Sequence, residues 1–169
     1  RGDFLVDGGN SFYKDTVRRA KRFEAKGIGF ADAGVSGGPE GARHGACIMA
    51  GGDSKAYVHL EPLFRDLAAP SAYARVGEAG AGHFAKMVHN GIEYGMMQAI
   101  AEGFSIIKKS RFKIALGRIA DLFNHRSVIE SRLVGWLVSA YEEFGEDLKG
   151  VSGSVRQTGE GKWTARAAR

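Results

Sequence analysis

Residues 4–33 alternate in a way that few folds accommodate. FLVD, from Phe4 to Asp7, is a short apolar run that reads as a buried strand, GGNS follows as a turn, KDTVRRAKRFEAK carries a helical period from Lys14 to Lys26, and IGFADA is a second apolar run. Strand, helix and strand in that order make a parallel βαβ unit, because parallel strands need a crossover connection. In such sheets ligands sit beyond the carboxyl ends of the strands. Both GGNS and the later turn GVSGG, from Gly34 to Gly38, leave such ends.

The pattern continues with GARHGACIMAGG, which predicts a short helical turn and then a strand, and with DSKAYVHLEPLFRDL, a helix whose N-cap is Asp53. SAYARVG is a further strand. After Gly80 almost everything up to about Tyr141 is helical in pattern, in segments at 80–109, 112–124 and 127–143. The change of character places a boundary near Val76 to Gly82 and predicts two domains, an α/β domain at 1–78 and an all-helical domain at 79–169. The tail GVSGSVRQTGEGKWTA reads as a Gly-rich loop carrying one Trp.

KMVHNGIEYG, from Lys86 to Gly95, is the most informative stretch. A helix turns about 100° per residue, so Lys86, His89, Asn90, Glu93 and Tyr94 fall within an arc of roughly 140°. Val88, Gly91 and Ile92 face the other way, with Met87 at the flank. A base, an imidazole, an amide, an acid and a phenol on one stripe can bind a ligand and move protons. Spacing alone leaves a cleft wall and a solvated face both open. Gly80, Gly82, Gly91 and Gly95 each cost about 1 kcal/mol in a helix interior relative to Ala, so close approach of a neighbour or ligand is expected there.

Of 169 residues, 44% are hydrophobic, which is enough for one domain with a sizeable core or for parts of two. Lys and Arg number 24 against 19 Asp and Glu, a net charge of +5 without a long basic run, which suits anionic small molecules. No aromatic-studded basic patch is present, so nucleic acid is not an expected partner. No apolar run reaches the length of a membrane span, and a membrane is not expected either. Cys47, the only cysteine, allows no intrachain disulfide; it reads as a small core residue in a protein of a reducing compartment.

AGAGHFA places Gly80, Gly82 and Ala85 in the spacing GxGxxA after a strand and so mimics a dinucleotide fingerprint. The acidic residue that should end a second strand is here Glu102, inside the same helical pattern, so these glycines are better read as letting a helix N-terminus approach a ligand or a neighbouring loop. Ser36, Gly37 and Gly38 offer a hydroxyl and bare amides that suit a carboxylate or phosphate, and a simple glycine turn explains them equally well. His44, His59 and His83 have no spacing that suggests a metal site, and no metal is expected.

DGGNSFYKDT, AGVSGGPEGARHG, GAGHFAKMVHNGIEYGMMQAIAEGF and GEGKWT, in that order, resemble the 6-phosphogluconate dehydrogenase family. The VSGG turn and the pair Lys86 and Asn90 are shared with the broader β-hydroxyacid dehydrogenases, and the HNGIEYG extension is similar to the sugar-acid member. The resemblance implies a Rossmann-type parallel sheet, of which only the later part is here, followed by a truncated helical substrate and dimerisation domain. It implies NADP or NAD as cofactor, 6-phosphogluconate as substrate, a homodimer or higher homo-oligomer, and a cytoplasmic enzyme of the pentose phosphate pathway. By the same resemblance Lys86 is the general base and Glu93 the general acid. Asn10, Ser36, Gly37, Gly38, His89, Asn90 and Tyr94 contact substrate, and Asn10 also contacts cofactor. In the tail, Thr158 and Glu160 stand where long-chain members carry the Lys and Thr that face the sugar phosphate, and the GEGKWT form and the MMQ after EYG look more like the short-chain members. The GxGxxG unit is not in this sequence, which predicts a fragment inactive by itself. Two alternatives remain: another β-hydroxyacid dehydrogenase acting on a small acid, and a non-catalytic helical assembly module.

Overall fold

The computed structural model describes residues 2–154 and 159–168. The chain divides into two compact units, Arg1–Gly91 together with Gly159–Arg169, and Ile92–Thr158. The first unit holds strands β1 (Phe4–Asp7), β2 (Gly29–Ser36), β3 (Ala46–Gly52) and β4 (Ala68–Gly77), and helices α1 (Tyr13–Glu24), α2 (Gly38–His44) and α3 (Ser54–Leu67). It also holds the start of α4 (Ala81–Lys109), while α5 (Leu116–Phe123) and α6 (Arg132–Phe144) follow in the second unit and α7 (Glu160–Ala167) returns to the first.

The sheet order is β1-β2-β3-β4. β1 pairs in parallel with β2, Asp7 opposite Asp32, so the turn after β1 and the turn after β2 leave the same end of the sheet. The expectation of a parallel sheet needs one correction: β3 runs antiparallel to β2, with Val35 opposite Ile48, while β4 runs parallel to β3. The reason is chain length. Residues 37–45 hold only the short α2, whereas a parallel crossover needs about a dozen residues or more.

The core of this unit is Ala33, Ala46, Ile48, Ala50 and Phe64, with Tyr57 and Leu60 of α3 packed against it. As expected, Asp53 caps α3: its carboxylate accepts the N–H groups of Lys55 at 2.7 Å and Ala56 at 2.8 Å. Two other expectations fail. Cys47 is exposed, because it occupies the outward position of β3 between buried Ala46 and Ile48. Residues 160–167 are helix, not loop: Gly159 is the N-cap at φ 111°, and EGKWTARA winds with Gly161 in its first turn because the residues after it, down to Ala167, favour helix. Trp163 packs on Phe12 with ring centroids 5.1 Å apart.

In the second unit Phe104, Leu116, Ala120 and Tyr141 form the core, with the Phe104 ring 6.1 Å from those of Phe123 and Tyr141. α5 and α6 are shorter than their patterns predict. α6 begins only where the Ser131 hydroxyl accepts the N–H of Val134, and α5 where Glu146 accepts the N–H of Gly117. Among the described residues no helix is long and apolar enough to cross a membrane.

Candidate active site

The opening turns of α4 lie against β2 and β3, and glycines set how closely. A Cβ on Gly34 would stand 2.5 Å from the Cβ of Lys86 and 2.6 Å from the carbonyl oxygen of Gly82. A Cβ on Gly82 would collide with the carbonyl of Met49 on β3. The GxGxxA spacing at 80–85 is therefore used for helix-on-sheet contact, and the space a pyrophosphate would need there is filled by β3. The side of α4 that packs is also not quite the expected one. Met87 is the buried residue, Gly91 meets the side chain of Thr164 from α7, and Ile92 is 60% exposed.

This approach brings Lys86, His89 and Asn90 to the carboxyl end of β2. The amide oxygen of Asn90 accepts from the Lys86 ammonium at 2.7 Å and stands 2.9 Å from Nδ1 of His89, whose Nε2 lies 3.2 Å from the hydroxyl of Ser36. The protonation pattern follows from chemistry. An ammonium has only hydrogens to offer, so Oδ1 of Asn90 faces the Lys86 ammonium, and Oδ1 has no hydrogen to give His89. Nδ1 of His89 is thus the N–H donor toward Asn90, and Nε2 lies within hydrogen-bond distance of the Ser36 hydroxyl. A chain of hydrogen bonds runs from Ser36 through His89 and Asn90 to Lys86, with Asn90 buried and Lys86 half-buried.

The remaining expected residues fall as follows. Gly37 adopts φ 130° and Gly38 φ 60°, the first with a would-be Cβ 2.9 Å from Gly41, so this turn requires glycine. Asn10 is exposed in the turn after β1, where Asp7 accepts from the Gly9 N–H at 3.1 Å, the Ser11 hydroxyl at 3.1 Å and Arg19 at 3.2 Å. Glu93 and Tyr94 continue α4 beyond Gly91, in the second unit, Glu93 half-buried and Tyr94 partly exposed. Glu160 is buried in the first turn of α7, and Thr158 lies outside the described residues. No group of three or more potential metal ligands is found among the described residues.

Two residues with evident structural work were not singled out from the sequence. Asp32, 0% exposed, accepts the N–H groups of Gly80 and His83 at the start of α4. Thr164 places its hydroxyl 2.8 Å from the carbonyl of Met87 and 2.9 Å from that of Glu160. A charged residue inside an apolar strand was a legible signal for the first. Nothing in GEGKWT signalled the second.

The fold matches that of 3-hydroxyisobutyrate dehydrogenase from Salmonella typhimurium with a TM-score of 0.75 at 20% identity, over 98% of this chain and 56% of that one, a likeness of fold alone. Residues 1–80 match the NAD binding domain of 6-phosphogluconate dehydrogenase, and residues 82–169 match the 6-phosphogluconate dehydrogenase C-terminal domain. The chain belongs to the 6-phosphogluconate dehydrogenase family. It is 49% identical over 168 residues to YqeC of Bacillus subtilis (strain 168), covering 99% of this chain and 56% of that protein. Against the NAD(+)-dependent, decarboxylating 6-phosphogluconate dehydrogenase of Haloferax volcanii it is 41% identical over 167 residues, covering 98% and 55%. The solved Plasmodium falciparum 6-phosphogluconate dehydrogenase superposes with a TM-score of 0.88 at 31% identity, over 99% of this chain and 38% of that one. The chain thus spans about half the length, or less, of the relatives it matches.

Proposed function

We propose that the protein to which this chain belongs oxidises and decarboxylates 6-phosphogluconate to ribulose 5-phosphate, reducing NAD or NADP. The observation that carries the reading is the hydrogen-bonded set Ser36, His89, Asn90 and Lys86 at the carboxyl end of β2. It is supported by relatives that are decarboxylating 6-phosphogluconate dehydrogenases, and by a structural neighbour studied with NADP+ and with 6-phosphogluconate.

The chain's own residues divide the chemistry. Oxidation of a secondary alcohol needs a base for the hydroxyl proton as hydride departs, and Nζ of Lys86, in its neutral form, takes it. Asn90 orients that nitrogen by accepting one of its hydrogens, which leaves the lone pair for substrate. The β-keto acid so formed loses carbon dioxide readily. Lys86, now an ammonium, returns its proton toward the carbonyl oxygen as the enediol develops. Glu93, seven residues further along the sequence, protonates the enediol carbon while Lys86 takes back the enediol hydroxyl proton. Ser36, Gly37 and Gly38 hold an anionic end of the substrate, with His89, Asn90 and Tyr94 along its hydroxyls.

A bound nicotinamide supplies the hydride acceptor. Toward it this chain offers the carboxyl edge of β1 with Asn10, and no pyrophosphate-binding turn is formed among the described residues. In this reading 1–78 is the later part of the nucleotide-binding domain, which also lends Ser36, Gly37 and Gly38 to the substrate, and 79–169 is the helical substrate and dimerisation domain. Exposed apolar side chains on the second unit, Ile106 at 71%, Leu122 at 62% and Trp136 at 52%, support a homodimer or higher homo-oligomer. The lone thiol of Cys47 suits a cytoplasmic setting.

The test is an assay of a complete enzyme carrying this sequence, with 6-phosphogluconate against small 3-hydroxy acids, following reduced cofactor and carbon dioxide together. Turnover of a small 3-hydroxy acid without carbon dioxide release, and none of 6-phosphogluconate, would overturn the proposal. The isolated 169-residue chain is expected to form no reduced cofactor.

A further inference from the structure

A carboxylate with no exposed surface is costly unless its oxygens are matched by donors. Asp32 is such a group, 0% exposed in the middle of β2 between Ala31 and Ala33. Its two oxygens are matched by one element alone among the bonds described. Oδ1 accepts the N–H of Gly80 at 2.6 Å and Oδ2 the N–H of His83 at 2.8 Å, two of the donors that the start of a helix leaves without an intrahelical partner. The carboxylate also sets negative charge at the positive end of the α4 dipole.

The surroundings are built around it. A Cβ on Gly51 would collide with Oδ1, and one on Gly82 would stand 2.9 Å from Oδ2. The ring of His83, 2% exposed, places Nδ1 at 2.8 Å from the Thr16 hydroxyl and 3.8 Å from Oδ2. β2 therefore grips α4 twice. Asp32 holds the first turn, and four residues further along the strand Ser36 bonds His89. Lys86 lies between the two grips, three residues from each of His83 and His89. A single grip leaves α4 able to pivot about it, whereas two fix both its rotation and its advance along β2.

We propose that Asp32 is a positioning residue for the Lys86 chemistry, acting through the backbone of α4 and touching neither substrate nor cofactor. The role rests on the function proposed above. Displacement of a catalytic group by about 1 Å can cost on the order of 10²-fold in rate. Loss of one grip is therefore expected to appear in kcat more than in substrate or cofactor affinity.

The experiment compares Asp32→Ala and Asp32→Asn in the complete enzyme, with circular dichroism to verify folding, kcat and KM for sugar acid and cofactor, and hydrogen exchange at the Gly80 and His83 amides. Exchange at both amides should quicken in each variant. kcat should fall roughly 10- to 100-fold in Asp32→Ala with both KM values within about twofold, and Asp32→Asn, which keeps one acceptor oxygen, should recover part of the loss. Folded variants with kcat near the parent value, or a loss carried wholly by KM, would overturn the proposal. So would failure of both variants to fold, which would assign the carboxylate to stability alone. If the parent itself fails to turn over 6-phosphogluconate, the functional reading falls while the exchange measurement still judges the grip on α4.

Discussion

Oδ1 of Asn90 is 2.7 Å from Nζ of Lys86, one turn back along α4, and 2.9 Å from Nδ1 of the adjacent His89. One amide oxygen thus orients both the nitrogen proposed to take the substrate's proton and the imidazole that reaches Ser36 on β2.

The roles of Lys86 and Glu93 separate in a single turnover of the complete enzyme. Lys86→Met removes the proton acceptor, so hydride transfer and carbon dioxide release should fall together by about 10²- to 10⁴-fold. Glu93→Gln keeps size and loses the late proton. Reduced cofactor should still appear in the first turnover while ketose formation lags behind it. Rapid-mixing absorbance with quenched product analysis measures both, and the opposite pattern would reverse the assignment.

Gly34→Ala tests the close approach of α4 to β2. The new Cβ meets Lys86 at 2.5 Å and backbone at 2.6 Å, so the helix must move away or the strand must bend. Overpacking of this kind costs about 1–3 kcal/mol, which should lower the thermal midpoint. Because the displaced residue is Lys86 itself, kcat should fall by more than the change in folded population explains. A folded Gly34→Ala enzyme with parental kcat would show that the contact carries no catalytic consequence.

Thr164→Val keeps the shape that fits over Gly91 and deletes the hydroxyl bonded to the Met87 carbonyl. The expected loss is about 1 kcal/mol. Limited proteolysis should then cleave around α7 faster than in the parent, and Thr164→Ser should restore much of the protection. Equal protection in the valine variant would mean that packing of Trp163 on Phe12 holds α7 unaided.

The second unit carries a pH-sensitive pair in Lys108 and Asp147, 2.8 Å apart and both substantially exposed. The hydrogen bond and charge of Lys108 hold the Asp147 carboxyl below its ordinary value of 3.8, and the hydrogen bond it donates to Asp147 holds Lys108 above 10.5. A lowered acid contributes stability that is present above 3.8 and is lost as pH falls through the folded value; the raised base contributes below 10.5 and loses it above. Asp147→Asn should therefore melt earlier than the parent between those limits, with the difference closing on either side. High salt should shrink the difference, because exposed charges are screened. A constant difference at all pH values would point to packing instead.

The stripe on α4 was legible because its spacing is a property of one helix: Lys86, His89 and Asn90 share a face wherever that helix goes. The link from His89 to Ser36 spans 53 residues and depends on how sheet and helix meet, which no local period encodes. The βαβ opening was legible for the same local reason, whereas the reversal of β3 lay in the length of a connection rather than in its pattern. Asp32 was read as one more strand residue in IGFADA, although an acid among apolar neighbours already asks where its partners are. α7 was hidden by the glycines around its start, Gly159 at its N-cap and Gly161 in its first turn, which read locally as loop.

The bond between Thr164 and Met87 joins residues 77 apart in the chain, so the first unit is discontinuous in sequence. At about 5–20 residues per second of synthesis, α4 precedes α7 from the ribosome by on the order of 4–15 s. Through that interval the notch at Gly91 faces solvent, and the unit that carries Lys86 cannot take its final form before the second unit has been translated.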